Sequence, residues 1–284
     1  TLSGGGNLQS VGLDLNDADS KLLLNSITVD SVSTSADSSG LDIDANSTVT
    51  SLSVAHITPV SIADGISLSG AITVTAGSIK LAETGTLASS ISMSGGVLDA
   101  DNSLTVSGTL THTGNITIDV ASSKRLTYTG TPISVGANTL TLSGGGGAWL
   151  FSGGLTLNDA SSKIELGMAI IVDSVSTSVD NSLGLHVRAG NATVSSLLVS
   201  NITPVAIDLG MSLYGAITVT NNGSLKLTKT GTLLASVSMS GGTTLEADDS
   251  LTVTGALTHT GNITIDVADT KTLTYSGTAI SLGA

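Results

Sequence analysis

The sequence predicts an all-β fold, a right-handed parallel β-solenoid of stacked coils of about 20–25 residues each. Three observations carry that prediction. The chain repeats itself, it is built of short apolar alternations separated by turn formers, and it lacks the large side chains that fill a thick core. Only one Trp, one Phe and three Tyr occur in 284 residues, against 40% apolar content overall. That content suffices for a core, but a thin one of aliphatic side chains.

The second half restates the first. Leu-Thr-His-Thr-Gly-Asn-Ile-Thr-Ile-Asp-Val-Ala at 110–121 returns unchanged at 257–268, and Gly-Ala-Ile-Thr-Val-Thr at 70–75 returns at 215–220. The offset is 140 for the Thr-Leu-Ser-Gly-Gly-Gly that opens each copy and 147 at the last match, so small insertions accumulate between matched segments. Such tolerance belongs to the outside of a regular scaffold. The reading divides the chain into copy one, 1–140, and copy two, 141–284, as one continuous solenoid. Copy one passes from Ile-Ser-Val-Gly-Ala through Asn-Thr-Leu into the next Thr-Leu-Ser-Gly-Gly-Gly, and the chain closes on Ile-Ser-Leu-Gly-Ala. Adding Asn-Thr-Leu would splice end to start, and a slice of a longer tandem array is expected.

Within each copy, Ile72-Thr-Val74, Leu104-Thr-Val106, Ile116-Thr-Ile118 and Leu126-Thr-Tyr128 alternate apolar with polar residues. Period two with β-branched residues marks strands, and the intervening Gly, Asn, Asp and Ser mark turns. The expected strands are three to five residues long. Ile72, Val74, Leu104, Val106, Ile116, Ile118, Leu126 and Leu140 are expected to point inward; Thr73, Thr105, Thr117 and Asp119 are expected to point outward. An immunoglobulin-like array is the competing all-β arrangement, but it relies on bulkier core residues and longer strands.

Charge narrows the partners. The net charge is −13 with only nine Lys plus Arg, which argues against nucleic acid and anionic lipid. No stretch is long and apolar enough to span a bilayer. The absence of Cys excludes disulfides and thiolate metal sites.

The strand repeats at 139–146 (Thr-Leu-Thr-Leu-Ser-Gly-Gly-Gly) and 257–265 (Leu-Thr-His-Thr-Gly-Asn-Ile-Thr-Ile) resemble those of autotransporter passengers and filamentous-haemagglutinin-type giant surface proteins of bacteria. The resemblance covers the whole chain, rests on composition, and carries over no binding residues. It implies export, a right-handed parallel β-helix, and a role in adhesion or cell-surface fibres.

The search for chemistry yields no catalytic, cofactor or metal residue. Acidic clusters occur at Asp14, Asp17 and Asp19, at Asp42 and Asp44, at Asp99 and Asp101, and at Glu246, Asp248 and Asp249. A sugar cleft would add aromatic platforms and basic subsites, whereas Arg125 and Arg188 are the only arginines. Solvated turns are the simpler reading. The oxygen-rich turns leave room for weak calcium binding, although neither the β-roll nonapeptide nor an EF-hand loop is present. His112 and His259 occupy one repeat position six coils apart, too far to share a metal.

The copies differ most tellingly on their outer positions. A two-residue insertion brings Trp149 and Phe151; Ile171 stands for Thr28, Leu198 for Ser53, and Tyr214 for Ser69. Exposed apolar residues mark interfaces, so Trp149, Phe151, Ile171, Leu198 and Tyr214 form the candidate lateral interface. The expectation is a non-enzymatic structural segment of an extracellular or cell-surface fibre that associates with itself end to end. The alternative is an adhesin module that binds a glycan or protein on another cell.

Overall fold

The structure, a computed structural model, describes residues 1–9, 12–144, 154–167 and 170–281, and the backbone alone of 149–151. All regular structure among these residues is β, with parallel strands stacked as a β-solenoid of about 13 turns. The chain forms two compact units, Thr1–Thr131 with Gly144–Gly153, and Pro132–Ser143 with Gly154–Ala284.

In the first unit one sheet stacks Leu2–Ser3, Lys21–Asn25, Gly40–Ile43, Thr58–Ile62, Ser78–Leu81, Val97–Ala100 and Ile116–Val120 in chain order, all parallel. Leu81 lies opposite Ala100, and Ala100 opposite Val120. In the second unit the corresponding sheet runs from Thr139–Gly144 through Lys163–Leu166, Gly184–Val187, Ile202–Ile207, Ser224–Leu227 and Thr244–Ala247 to Thr264–Val267. The coil from Leu142 to its partner Leu166 is longer than the next, from Leu166 to Val187. In-register stacking places like beside like, so inward aliphatics meet aliphatics in columns. Leu24, Ile43, Ile62, Leu81, Ala100 and Val120 are at most 1% exposed. Ile72, Val74, Leu104, Val106, Ile116, Ile118, Leu126 and Leu140 are all buried, while Thr73, Thr105, Thr117 and Asp119 are not.

A second sheet in each unit has two arms. The strands exceed the expected length here: Thr28–Thr34, Ser47–Val54 and Ser67–Val74 run seven or eight residues, and Ile170–Thr177, Asn191–Val199 and Ser212–Val219 eight or nine. The reason is a bend inside the strand. Adjacent residues such as Thr50 and Ser51, or Ser195 and Ser196, are both exposed, and the register shifts between Val49 and Ser51 and between Val194 and Leu197. The bulge turns the strand while keeping apolar residues inward on both arms. In later coils the arms separate, as in Thr86–Leu87 with Ser90–Met93 and Thr232–Leu233 with Ser236–Ser240.

Glycine is required where coils meet most closely at the bend. Gly70 (φ 124) and Gly215 (φ 118) sit against the carbonyl oxygens of Val49 and Val194, well inside 3.0 Å of where a Cβ would lie. Only a residue without a Cβ permits both the backbone angle and the approach.

Candidate functional site

The outer columns of the first sheet stack lysines against carboxylates. In the first unit Lys80 stands in register with Asp99, and Asp99 with Asp119. The Lys80 ammonium lies 2.9 Å from Asp101 and 3.6 Å from Asp99. Burial raises the Asp99 carboxyl above its ordinary value, repulsion from Asp101 and Asp119 adds to this, and Lys80 opposes it. In the second unit Lys226 stands in register with Glu246, and Glu246 with Asp266. Lys226 reaches Asp248 at 3.0 Å and Glu246 at 3.4 Å, and Lys271 reaches Asp249 at 2.9 Å. Asp42 is held by Lys21 at 2.9 Å, and Asp14 accepts from the hydroxyls of Ser33 and Ser35. Asp14, Asp42, Asp99, Asp101, Glu246, Asp248 and Asp249 are thus each taken up by a side chain of a neighbouring coil. Among the described residues, no group of three or more His, Asp and Glu is placed to hold a metal ion.

One charged network was not singled out from the sequence. Glu165, 8% exposed, accepts from Lys163 and, at 2.7 Å, from Arg188 one coil on. His186, in register with Glu165, places Nε2 2.9 Å from Asp208, which also accepts from Lys229 at 2.6 Å. Burial pushes the Glu165 carboxyl up, but the hydrogen bonds from Lys163 and Arg188 outweigh it and hold the carboxyl below its ordinary range. Asp208 is depressed likewise, burial being outweighed by Lys229 and His186. The network joins four successive coils. Its signal was present in the copy differences: Glu165, His186, Arg188, Asp208 and Lys229 stand where copy one has Leu23, Asp42, Asp44, Ala63 and Glu83.

His112 and His259 share one local geometry. Each Nδ1 meets a glycine carbonyl two residues on, Gly114 at 2.9 Å and Gly261 at 3.0 Å. A carbonyl only accepts, so Nδ1 carries the hydrogen. Each Nε2 is buried without a hydrogen-bond partner among the described residues. Their ladder neighbours are Met93 and Met239. Each histidine thus closes its own turn.

The candidate lateral residues fall on the second sheet. Ile171 and Tyr214 belong to one outer column, separated by Thr193. Tyr214 is 39% exposed and Ile171 is half-buried. Leu198, also 39% exposed, lies beyond the bend on the other arm, between Ser176 and Thr218. The structure therefore places Ile171 and Tyr214 in one column, two rungs apart, and Leu198 in another. The backbone of Trp149–Phe151 forms a strand paired with Leu126–Tyr128, and the side chains of Trp149 and Phe151 lie outside the described residues. Comparison with protein-family models, with curated proteins and with solved structures gave no match.

Proposed function

We infer that this chain is a structural segment of an extracellular or cell-surface fibre built from tandem β-solenoid repeats. One observation carries the reading: the contacts that stack one coil on the next recur at equivalent positions in both copies. Gly40 against Pro59 of the following coil is matched by Gly184 against Pro204, and Gly70 against Val49 of the preceding coil by Gly215 against Val194. Tyr128 bridges Leu110 N and Thr131 O, and Tyr275 bridges Leu257 N and Thr278 O. Stacking that repeats with the sequence can be propagated by adding copies, because each coil needs only its neighbours. The same logic extends to end-to-end association, in which backbone pairing continues from one chain to the next.

The reading takes the chain as non-catalytic and free of cofactors, with weak calcium binding at most. What supports this is the use of the acidic clusters as ion-pair partners for Lys21, Lys80, Lys226 and Lys271. Export by a bacterium rests on the resemblance of the strand repeats. Electron microscopy of the purified chain tests the proposal. Long fibres with an axial repeat near one or two copies are the expected result, and dispersed particles of single-chain length at all concentrations would overturn it.

A second reading, an adhesin module, is favoured by the exposed apolar residues of the second copy. Leu198, Leu209 and Tyr214 stand where copy one has Ser53, Asp64 and Ser69. Saturable binding to a glycan or cell-surface protein, lost on reverting these residues, would support it over the fibre.

A further inference from the structure

Two of the four histidines stand at one repeat position, and each leaves a ring nitrogen unpartnered inside the solenoid. In the first unit an inward column of the second sheet runs Val54, Val74, Met93, His112, each in register with the next. In the second unit the equivalent column runs Val199, Val219, Met239, His259. Met93 and Met239 are each 1% exposed. His112 lies between the exposed Thr111 and Thr113, and His259 between the exposed Thr258 and Thr260, so both imidazoles continue the inward alternation. The Nδ1 hydrogen is committed to Gly114 O in one and to Gly261 O in the other, which leaves Nε2 as an acceptor. In both units that Nε2 is buried with no hydrogen-bond partner among the described residues.

A buried acceptor left without a donor costs about 1–3 kcal/mol. An orphan that recurs at the same position in both copies calls for an occupant. The methionine below cannot serve it, because a thioether sulfur is itself a weak acceptor with no hydrogen to give. A bridging water needs about two to four polar partners, and the column below offers one sulfur and valine side chains.

We propose that each His–Met step, Met93 with His112 and Met239 with His259, is a binding site for a soft monovalent cation of the copper(I) class. An imidazole whose Nδ1–H is tied to a carbonyl is oriented as metal-ligating histidines are, with the Nε2 lone pair left to donate. Thioether sulfur selects soft ions, whereas hard divalent ions demand carboxylates or other oxygens that this step does not supply. Two neutral ligands suit a linear ion of single charge. With ~2.0 Å to nitrogen and ~2.3 Å to sulfur, such an ion needs its ligand atoms roughly 4.3 Å apart. Rungs of a parallel sheet are about 4.8 Å apart, so ligands on successive coils present that span. The ion ties one coil to the next. Each site is complete within its own unit, so the two histidines need not share an ion. The inference goes beyond the fibre reading, which takes no tightly held ion, and its test does not depend on association.

The test uses the intact chain. Copper(I) is titrated under argon against a colorimetric copper(I) chelator, and silver(I), which needs no reductant, is titrated in chloride-free buffer. Wild type is expected to take up two tight equivalents of either ion, one for each step. Met93→Leu and Met239→Leu should each remove one, and the double variant both. Removing a supporting partner of a metal ligand already costs 10–100-fold, so losing the ligand itself should weaken a site by about 100-fold or more. Leucine keeps the buried volume, and circular dichroism verifies that the variants fold. A control carrying His56→Ala and Met211→Leu should keep both equivalents. Loading should raise the thermal midpoint of wild type and leave that of the double variant unchanged. X-ray absorption should show one nitrogen and one sulfur at each ion. Nitrogen NMR of the wild-type imidazoles reads the same contact without any substitution, and the Nε2 signals of His112 and His259 should move on loading. No tight equivalent in wild type, full binding by the double Met→Leu variant, or nitrogen shifts confined to His56 and His186 would overturn the proposal.

Discussion

Gly40 lies directly beneath Pro59 on the next coil, so close that a Cβ on Gly40 would fall well inside 3.0 Å of the Pro59 carbonyl oxygen. Gly40 also holds φ at 79°, in the left-handed region. Proline has no N–H to give to a ladder, and the absent Cβ lets the coils close at that point. Gly184 and Pro204 repeat the arrangement, with φ at 62°.

Substituting Gly40 by Ala therefore meets two penalties, the backbone angle and the collision. Gly65 has a similar φ of 73° but no atom within 4 Å of a built Cβ. Gly65→Ala should lose about 1 kcal/mol from the angle alone. Gly40→Ala should lose roughly 3 kcal/mol or more, because backbone on the adjacent coil must shift as well. Denaturant titration of the two variants checks the difference, and equal losses would show that coil spacing relaxes freely.

Tyr128 is 1% exposed, and its hydroxyl donates to Thr131 O at 2.9 Å while accepting from Leu110 N at 3.2 Å. Tyr128→Phe leaves a buried N–H without its partner and should lose about 1–3 kcal/mol. Tyr275 makes the same two bonds in a more exposed setting, so Tyr275→Phe should lose less. Burial also raises the Tyr128 phenol above its ordinary value of 10.0, with the two hydrogen bonds opposing. The native state then holds that proton more tightly than the unfolded chain. Its contribution to stability is complete below pH 10 and lost as pH rises through the native value. Ultraviolet difference titration should show one tyrosine ionising late, and Tyr128→Phe should remove that phase.

Glu165 and Asp99 predict opposite pH effects in the two units. The depressed Glu165 carboxyl stabilises above its ordinary value of 4.5, and this is lost as pH falls through the lower native value. Asp99, raised above 3.8, works the other way: its native state favours the proton, so stability falls as pH rises through the native value. At pH 7, Glu165→Gln should destabilise by roughly 1–2 kcal/mol, since the amide keeps one accepting oxygen for Lys163 and Arg188 where the carboxylate offers two charged ones. Asp99→Asn should stabilise by about 0.5 kcal/mol, since Lys80 keeps Asp101. Hydrogen exchange resolved to residues around each site reads both effects. A loss in both variants would contradict the repulsion assigned to Asp99.

Much of the architecture was legible before any coordinates. Period-two alternation is a local property of the chain, and Ile72-Thr-Val74 or Ile116-Thr-Ile118 can bury one edge only as strands. The outward position of Leu198 followed from the same rule, applied to the copy comparison with Ser53. The long bent strands did not follow, because a bulge such as that between Val49 and Ser51 interrupts the alternation and reads as a strand end. The Glu165 network was hidden for a different reason. Lys163, Glu165, His186, Arg188, Asp208 and Lys229 are separated by roughly one coil at each step between strands, and coil length is not constant. The step from Leu81 to Ala100 is short and that from Leu142 to Leu166 long, so no fixed spacing in the sequence picks the partners out.

The sequence by itself determined that this chain is all-β, repetitive and thin-cored, because side-chain alternation and turn chemistry act over a few residues. Tertiary structure alone decided which side chains share a column. Register between coils depends on the length of every intervening turn, and one added residue moves a side chain to the opposite face. That is why Ile171 and Tyr214 share a column with Thr193 between them, while Leu198 joins a column of hydroxyls on the other arm.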